Sequence, residues 1–101
     1  MVGVSDRSIR QGDNYITNPN VFKLRQAQKE AALENGCIFW DLFEAMGGEN
    51  SMPAWVLRDE PLANKDFIHF NNKGAEHVAT MFLNALRKEY KAYRQRTQSN
   101  R

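Results

Sequence analysis

The chain has 101 residues and a mass of 11.7 kDa, with 42% hydrophobic residues, 26% charged residues and a formal net charge of +2. That is one small globular domain at most, able to hide only about 60–65% of its unfolded surface, so a covering partner would add to its stability. No apolar run approaches the roughly 18 residues of a membrane-spanning helix, and Asp6 breaks the N-terminus MVGVSDRSIRQG where a signal peptide needs its apolar stretch.

The single cysteine, Cys37, excludes an internal disulfide, and with two histidines it is poor material for a structural zinc site. The compartment stays open. Charge is uneven: residues 87–101 carry six Lys/Arg against Glu89, a balance of +5, which leaves −3 for residues 1–86. Basic residues suit the C-terminal end of a helix, and no zinc-finger, β-ribbon or aromatic-stacking motif accompanies them. The expectation is a solvated helix end and no nucleic-acid partner.

Taken in chain order, Val2-Gly3-Val4-Ser5 reads as the end of a short buried strand, followed by a polar loop from Asp6 to Thr17. Asn18-Pro19 opens a helix, because asparagine can cap free amides and proline suits the first helical position. Val21, Leu24, Ala27 and Ala31 are its approximate apolar positions, and Gly36 follows its end at about Asn35. Cys37-Ile38-Phe39-Trp40 is a continuous apolar run, the pattern of a strand covered on both faces in a parallel sheet. Strand, helix, strand predicts a βαβ unit.

Asp41-Leu42-Phe43-Glu44 reads as a capping box for a short helix closed by Met46-Gly47-Gly48, and a second short helix is expected over Met52 to Arg58. Asp59 to Phe70 has no periodicity. Asn71 then caps a long helix from about Asn72 to Tyr93, with Ala75, Val78, Ala79, Phe82, Leu86 and Tyr90 along one face and a frayed basic tail at 97–101. Two parallel strands leave sheet edges and faces uncovered, so this pattern predicts the C-terminal part of a larger α/β domain, the alternative being a small mostly helical unit that folds alone or by association of copies through an exposed strand edge.

The most informative stretch is Asp66-Phe67-Ile68-His69-Phe70. A carboxylate three residues before a histidine can bond one ring nitrogen and fix the tautomer, leaving the other nitrogen to take a proton from a nucleophile. Asp66 as a turn cap beside a surface histidine is the simpler reading of a bare D-x-x-H. The wider pattern, Lys65-Asp66-Phe67-Ile68-His69-Phe70-Asn71-Asn72-Lys73-Gly74 followed by AEHVATMFLNAL, resembles the last block of the SGNH (GDSL-type) hydrolase superfamily. FWDLFEAMGGENSMPAW is similar to a bacterial branch of these esterases, so the resemblance covers residues 37–90 with VGVSDRS as the preceding strand end.

The resemblance implies an α/β chain that forms the C-terminal portion, residues 1–96, of a flavodoxin-like α/β/α fold: two short parallel strands, two long helices and short helices. It further implies hydrolysis of carboxylic esters, often acetyl groups on carbohydrates, with His69 as general base and acid, Asp66 as its orienter, and no metal or organic cofactor. The family's serine, in a G-D-S motif, and its oxyanion-hole G-x-N-D run are not found, and Gly12-Asp13-Asn14 sits in a loop without a preceding strand. The partner implied is therefore an upstream segment of the same domain, besides the ester substrate.

Ser5 follows an apolar run as a nucleophile might, but Gly-Val-Ser-Asp is not a G-x-S-x-G elbow and falls after the family's serine in chain order. His77 is expected as a solvated or packed helix side chain rather than a metal ligand, Trp40 and Trp55 as anchoring aromatics, with Trp55 also placed to line a cleft beside the Gly-Gly turn. Asp41 is expected as a cap and Cys37 as a buried, unreactive thiol. The rival reading of the whole is a non-catalytic binding module on the same fold pieces, in which His69 is expendable.

Overall fold

The structure, a computed structural model, describes residues 1–99. Its elements are β1 (Ser8–Gln11), β2 (Asn14–Thr17), α1 (Pro19–Glu34), α2 (Leu42–Met46), α3 (Ser51–Leu57) and α4 (Asn72–Ser99). The strands form an antiparallel hairpin with Ser8 opposite Thr17 and Gln11 opposite Asn14. The turn between them starts at Gly12, whose φ of +62° is the left-handed backbone that a tight hairpin demands. The sequence reading places a polar loop here, because four-residue strands with mixed exposure carry too little alternation to register.

The two expected parallel strands are corrected to a single parallel bridge between Val2 and Trp40. The Gly3 N–H donates to the Trp40 carbonyl at 2.7 Å, and the Trp40 N–H donates to the Met1 carbonyl at 2.8 Å. The order strand end, α1, strand end survives, but no strand among the described residues flanks either segment. Ile38 is accordingly 72% exposed, and Cys37 is exposed rather than buried.

α1 begins as its sequence demands: the Asn18 side chain accepts the Asn20 N–H at 3.0 Å, with Pro19 in the first turn. Its inward face differs from the expected one. Val21 and Ala32 are buried and Leu24 is exposed, while Arg25 and Gln28 lie half-buried between them. The two polar residues earn that place through partners. Gln28 Oε1 accepts the Val4 N–H at 2.8 Å, and the Arg25 guanidinium grips both oxygens of Asp41 while lying over the Phe43 ring.

Asp41 caps α2 as expected, accepting the Glu44 N–H at 3.2 Å. Burial by itself would raise its carboxyl, but the Arg25 hydrogen bonds and the Glu44 N–H outweigh it and hold the group below the ordinary carboxylate range. Gly47 and Gly48, both with positive φ, turn the chain into α3. That helix is capped from a distance: fully buried Asp6 offers Oδ2 to the Met52 N–H at 2.7 Å. Thr17 and Asn50 exchange hydrogen bonds of 3.1 and 2.7 Å, tying β2 to the start of α3.

The core is Leu42, Met46, Met52, Trp55, Val56, Leu62, Ala63 and Phe67, with Trp40, Phe70, Val78 and Met81 packed on it. Trp55 anchors it, donating Nε1–H to the Met46 carbonyl at 3.0 Å. α4 covers this cluster with its first turns, then runs on through residues 94–99. Of the expected apolar face, Val78 and Phe82 are half-buried whereas Ala75, Ala79, Leu86 and Tyr90 are exposed. Residues 97–99 continue the helix, and 100–101 of the expected tail lie outside the described residues.

Candidate active site

The irregular stretch between α3 and α4 is a closed loop. An antiparallel bridge joins Ala63 to Phe70, and inside it the Asn64 N–H donates to the His69 carbonyl at 2.8 Å and the Phe67 N–H to the Asn64 carbonyl at 3.0 Å. Asn71 locks the exit: its N–H donates to the Leu62 carbonyl at 3.2 Å, its Nδ2 to the Pro61 carbonyl at 2.7 Å, and its Oδ1 accepts the Gly74 N–H at 2.8 Å. One side chain thus caps α4 and ties it to the base of the loop.

Asp66 and His69 stand together at the tip. Asp66 Oδ1 accepts the backbone N–H groups of Ile68 and His69 at 2.9 and 3.0 Å, and Oδ2 lies 2.7 Å from His69 Nδ1. A carboxylate is acceptor-only, so the neutral ring carries its proton on Nδ1 and leaves the Nε2 lone pair free to accept another. Nε2 has no partner among the described residues, and the His69 side chain is 72% exposed. The pair can therefore receive a proton at Nε2 and hold the resulting imidazolium beside a carboxylate.

The same contacts hold the Asp66 carboxyl at about 2, through the His69 side chain first and then the His69 and Ile68 N–H groups. Because the folded value lies below the unfolded one, the loop gains stability that is present above the ordinary carboxylate value near 3.8 and is lost as pH falls toward about 2. A carboxyl-detected NMR titration should show Asp66 protonating near 2, with the Ile68 and His69 amides shifting in step. Protonation near 4 would mean that the pair is not formed in solution.

The hairpin supports this loop from one side. The Ser8 N–H donates to the Phe67 carbonyl at 3.0 Å, and the Tyr15 and Phe67 rings lie parallel with centroids 3.8 Å apart. Phe67 itself has φ +59°, a strained backbone for an aromatic residue, held by that clamp and by burial in the core. Sequence reading missed both Phe67 and Tyr15, since neither spacing nor residue type marks a left-handed phenylalanine.

Other candidates separate from the pair. Ser5 is half-buried and makes no hydrogen bond to His69. His77, on α4, packs edge-on to Trp55 with centroids 5.5 Å apart, and Trp55 lies in the core rather than in a cleft. Among the described residues no three His, Cys, Asp or Glu side chains cluster closely enough to hold a metal ion, and no helix is long and apolar enough to cross a membrane.

Comparison with known proteins bears on the fold. No protein-family model and no curated protein sequence matches the chain. A solved structure of a peptidoglycan O-acetylesterase superposes on 90% of the chain with a TM-score of 0.80 and 26% sequence identity. The chain spans 26% of the length of that structure. It is a mixed α/β chain that matches part of an esterase fold.

Proposed function

We propose that this chain is the C-terminal part of a serine ester hydrolase that removes acyl groups, acetyl above all, from carbohydrate hydroxyls, and that it supplies the Asp66–His69 half of the site. The observation that carries this reading is the 2.7 Å Asp66–His69 contact with Nε2 turned outward, on a chain resembling part of a peptidoglycan O-acetylesterase. In the proposed cycle Nε2 takes the hydroxyl proton of a serine as its oxygen bonds to the ester carbonyl carbon. The imidazolium returns that proton to the departing sugar oxygen as the tetrahedral adduct collapses to an acyl-enzyme. A water molecule then attacks the acyl-enzyme, giving its proton to Nε2, and the carboxylic acid leaves as the serine is reprotonated. Asp66 stabilises the imidazolium in both halves and does not itself change protonation.

The serine and the oxyanion-hole donors belong to an upstream segment of the domain. The surface left for it is apolar: Ile38, Trp40, Phe82, Ala85 and Leu86 line a groove of about 250 Å³ beside the open Val2–Trp40 edge. The test compares this chain with a form extended upstream, using a serine-reactive fluorophosphonate and hydrolysis of p-nitrophenyl acetate. Labelling and turnover in the extended form alone are expected. Activity in the short chain would put the nucleophile here and overturn the division of the site, and silence in both forms would favour a non-catalytic module.

A further inference from the structure

The hairpin and α3 enclose an open cleft of about 430 Å³, lined by Tyr15, Phe67, Leu57, Pro53, Asn14 and Asn50. That volume falls in the roughly 300–1,000 Å³ range of small-ligand sites. Two large apolar side chains are left in water there, Leu57 at 74% and Tyr15 at 38% exposure. One face of the Tyr15 ring is covered by Phe67, and no other ring contact uses Tyr15 among the described residues.

Backbone strain gathers at the same place. Asn50 at φ +62° and Phe67 at φ +59° are the non-glycine residues with left-handed backbone among those described, and both line the cleft. Such strain concentrates where a ligand site needs an unusual backbone.

The polar groups of the cleft are amides with capacity to spare. Asn14 makes no side-chain hydrogen bond among the described residues. Asn50 uses Oδ1 for the Thr17 N–H, which leaves its Nδ2 as a free donor. Asp13 also lines the cleft, its carboxylate 4.0 Å from Arg10, and no Lys or Arg is among the lining residues. A site without a cation does not suit a phosphate or a carboxylate-rich peptide. An aromatic face edged by planar amides suits a neutral ring with C–H bonds on one face and hydroxyl or acetamido groups around its edge, because the π face is the negative side of the aromatic quadrupole.

We infer that this cleft is a carbohydrate subsite, in which a neutral pyranose ring lies against Tyr15 and Leu57 while Asn14 and Asn50 bond its edge groups. Phe67 lines the cleft and also belongs to the Asp66–His69 turn, which ties the subsite to that turn. The inference rests on the ester-hydrolase reading for the kind of substrate and adds where that substrate is held.

The test is an amide-resolved NMR titration of the chain with tri-N-acetylchitotriose, and in a second arm with a neutral tetrapeptide. Saturable shifts are expected at Tyr15, Asn50 and Leu57 with the glycan and not with the peptide. Tyr15→Ala and Leu57→Asp should each weaken binding by about tenfold or more. Leu57 is exposed, so its substitution keeps the test valid even if Tyr15→Ala disturbs the loop. Leu33→Asp, at a comparably exposed leucine on α1, should leave the affinity unchanged. Absence of glycan shifts in the cleft, shifts with the peptide alone, or binding indifferent to Leu57→Asp would each overturn the subsite. Glycan binding without esterase activity in the extended form would count against the hydrolase reading alone, and activity without glycan binding would count against the subsite alone.

Discussion

If the proposed function holds, Asp66→Asn is expected to lower kcat/KM of the upstream-extended form by about 10³–10⁴-fold while leaving the loop folded. The reason lies in which oxygen does what. Oδ1 accepts two backbone N–H groups, from Ile68 and His69, and only an oxygen can stay there. The carboxamide must therefore set its NH₂ against His69 Nδ1, where the carboxylate oxygen stood at 2.7 Å. Nδ1 becomes the acceptor, the ring proton moves to Nε2, and the outward nitrogen is no longer a base. Ring ¹⁵N shifts on the 101-residue chain should show the tautomer exchanged, and the kinetics of the extended form should show the loss mainly in kcat. His69→Ala should cost about as much, and the double substitution little more, because the two residues act as one unit. A loss below about tenfold for Asp66→Asn would remove His69 from the chemistry.

Gly74→Ala destabilises the chain by about 3 kcal/mol or more. A methyl group at Gly74 would overlap the Leu62 carbonyl oxygen and sit 2.7 Å from its carbon. Those are backbone atoms, already committed as acceptor to the Asn71 N–H, so they cannot swing aside as a side chain would. The helix must lift off the base of the loop, and with it the Asn71 cap that joins Pro61 to Gly74. Thermal denaturation should show the melting temperature falling by more than about 10 °C. Gly12→Ala is the control: its φ of +62° carries a left-handed penalty, but open space surrounds it, so it should cost only about 1–2 kcal/mol. A Gly74→Ala protein melting within a few degrees of the parent would show that α4 is not seated on Leu62.

What could be read in the sequence follows the range over which each feature is determined. The Asn18 and Asp41 caps, the Gly47-Gly48 turn and the Asp66–His69 pair depend on neighbours within a few residues, and each lies where its residue types indicate. The inward face of α1 is not legible in the sequence because two of its positions, Arg25 and Gln28, are polar and take their partners from Asp41 and Val4, far along the chain. The hairpin is not legible in the sequence because its exposed strands, with Ile9 and Tyr15 partly in water, show no clean alternation. Cys37 and Ile38 have the composition of a central strand, but that composition registers two covered faces, and here no described strand supplies them. The Tyr15–Phe67 stack is a long-range contact between residues whose types alone announce nothing.

The loop that carries Asp66 and His69 is closed from within: Ala63 meets Phe70, Asn64 meets His69 and Asn71 meets Pro61. In folding terms these are contacts of short sequence separation, the kind that form on the roughly 10–100 ns scale of closing a ten-residue loop. The acid–base half of the proposed site is thus closed mainly by its own segment, with the Ser8–Phe67 hydrogen bond and the Tyr15–Phe67 stack as its long-range support. On the proposed reading, a nucleophile supplied by another segment would meet a proton acceptor already held in its working tautomer, and the contacts that complete the site would be the long-range ones.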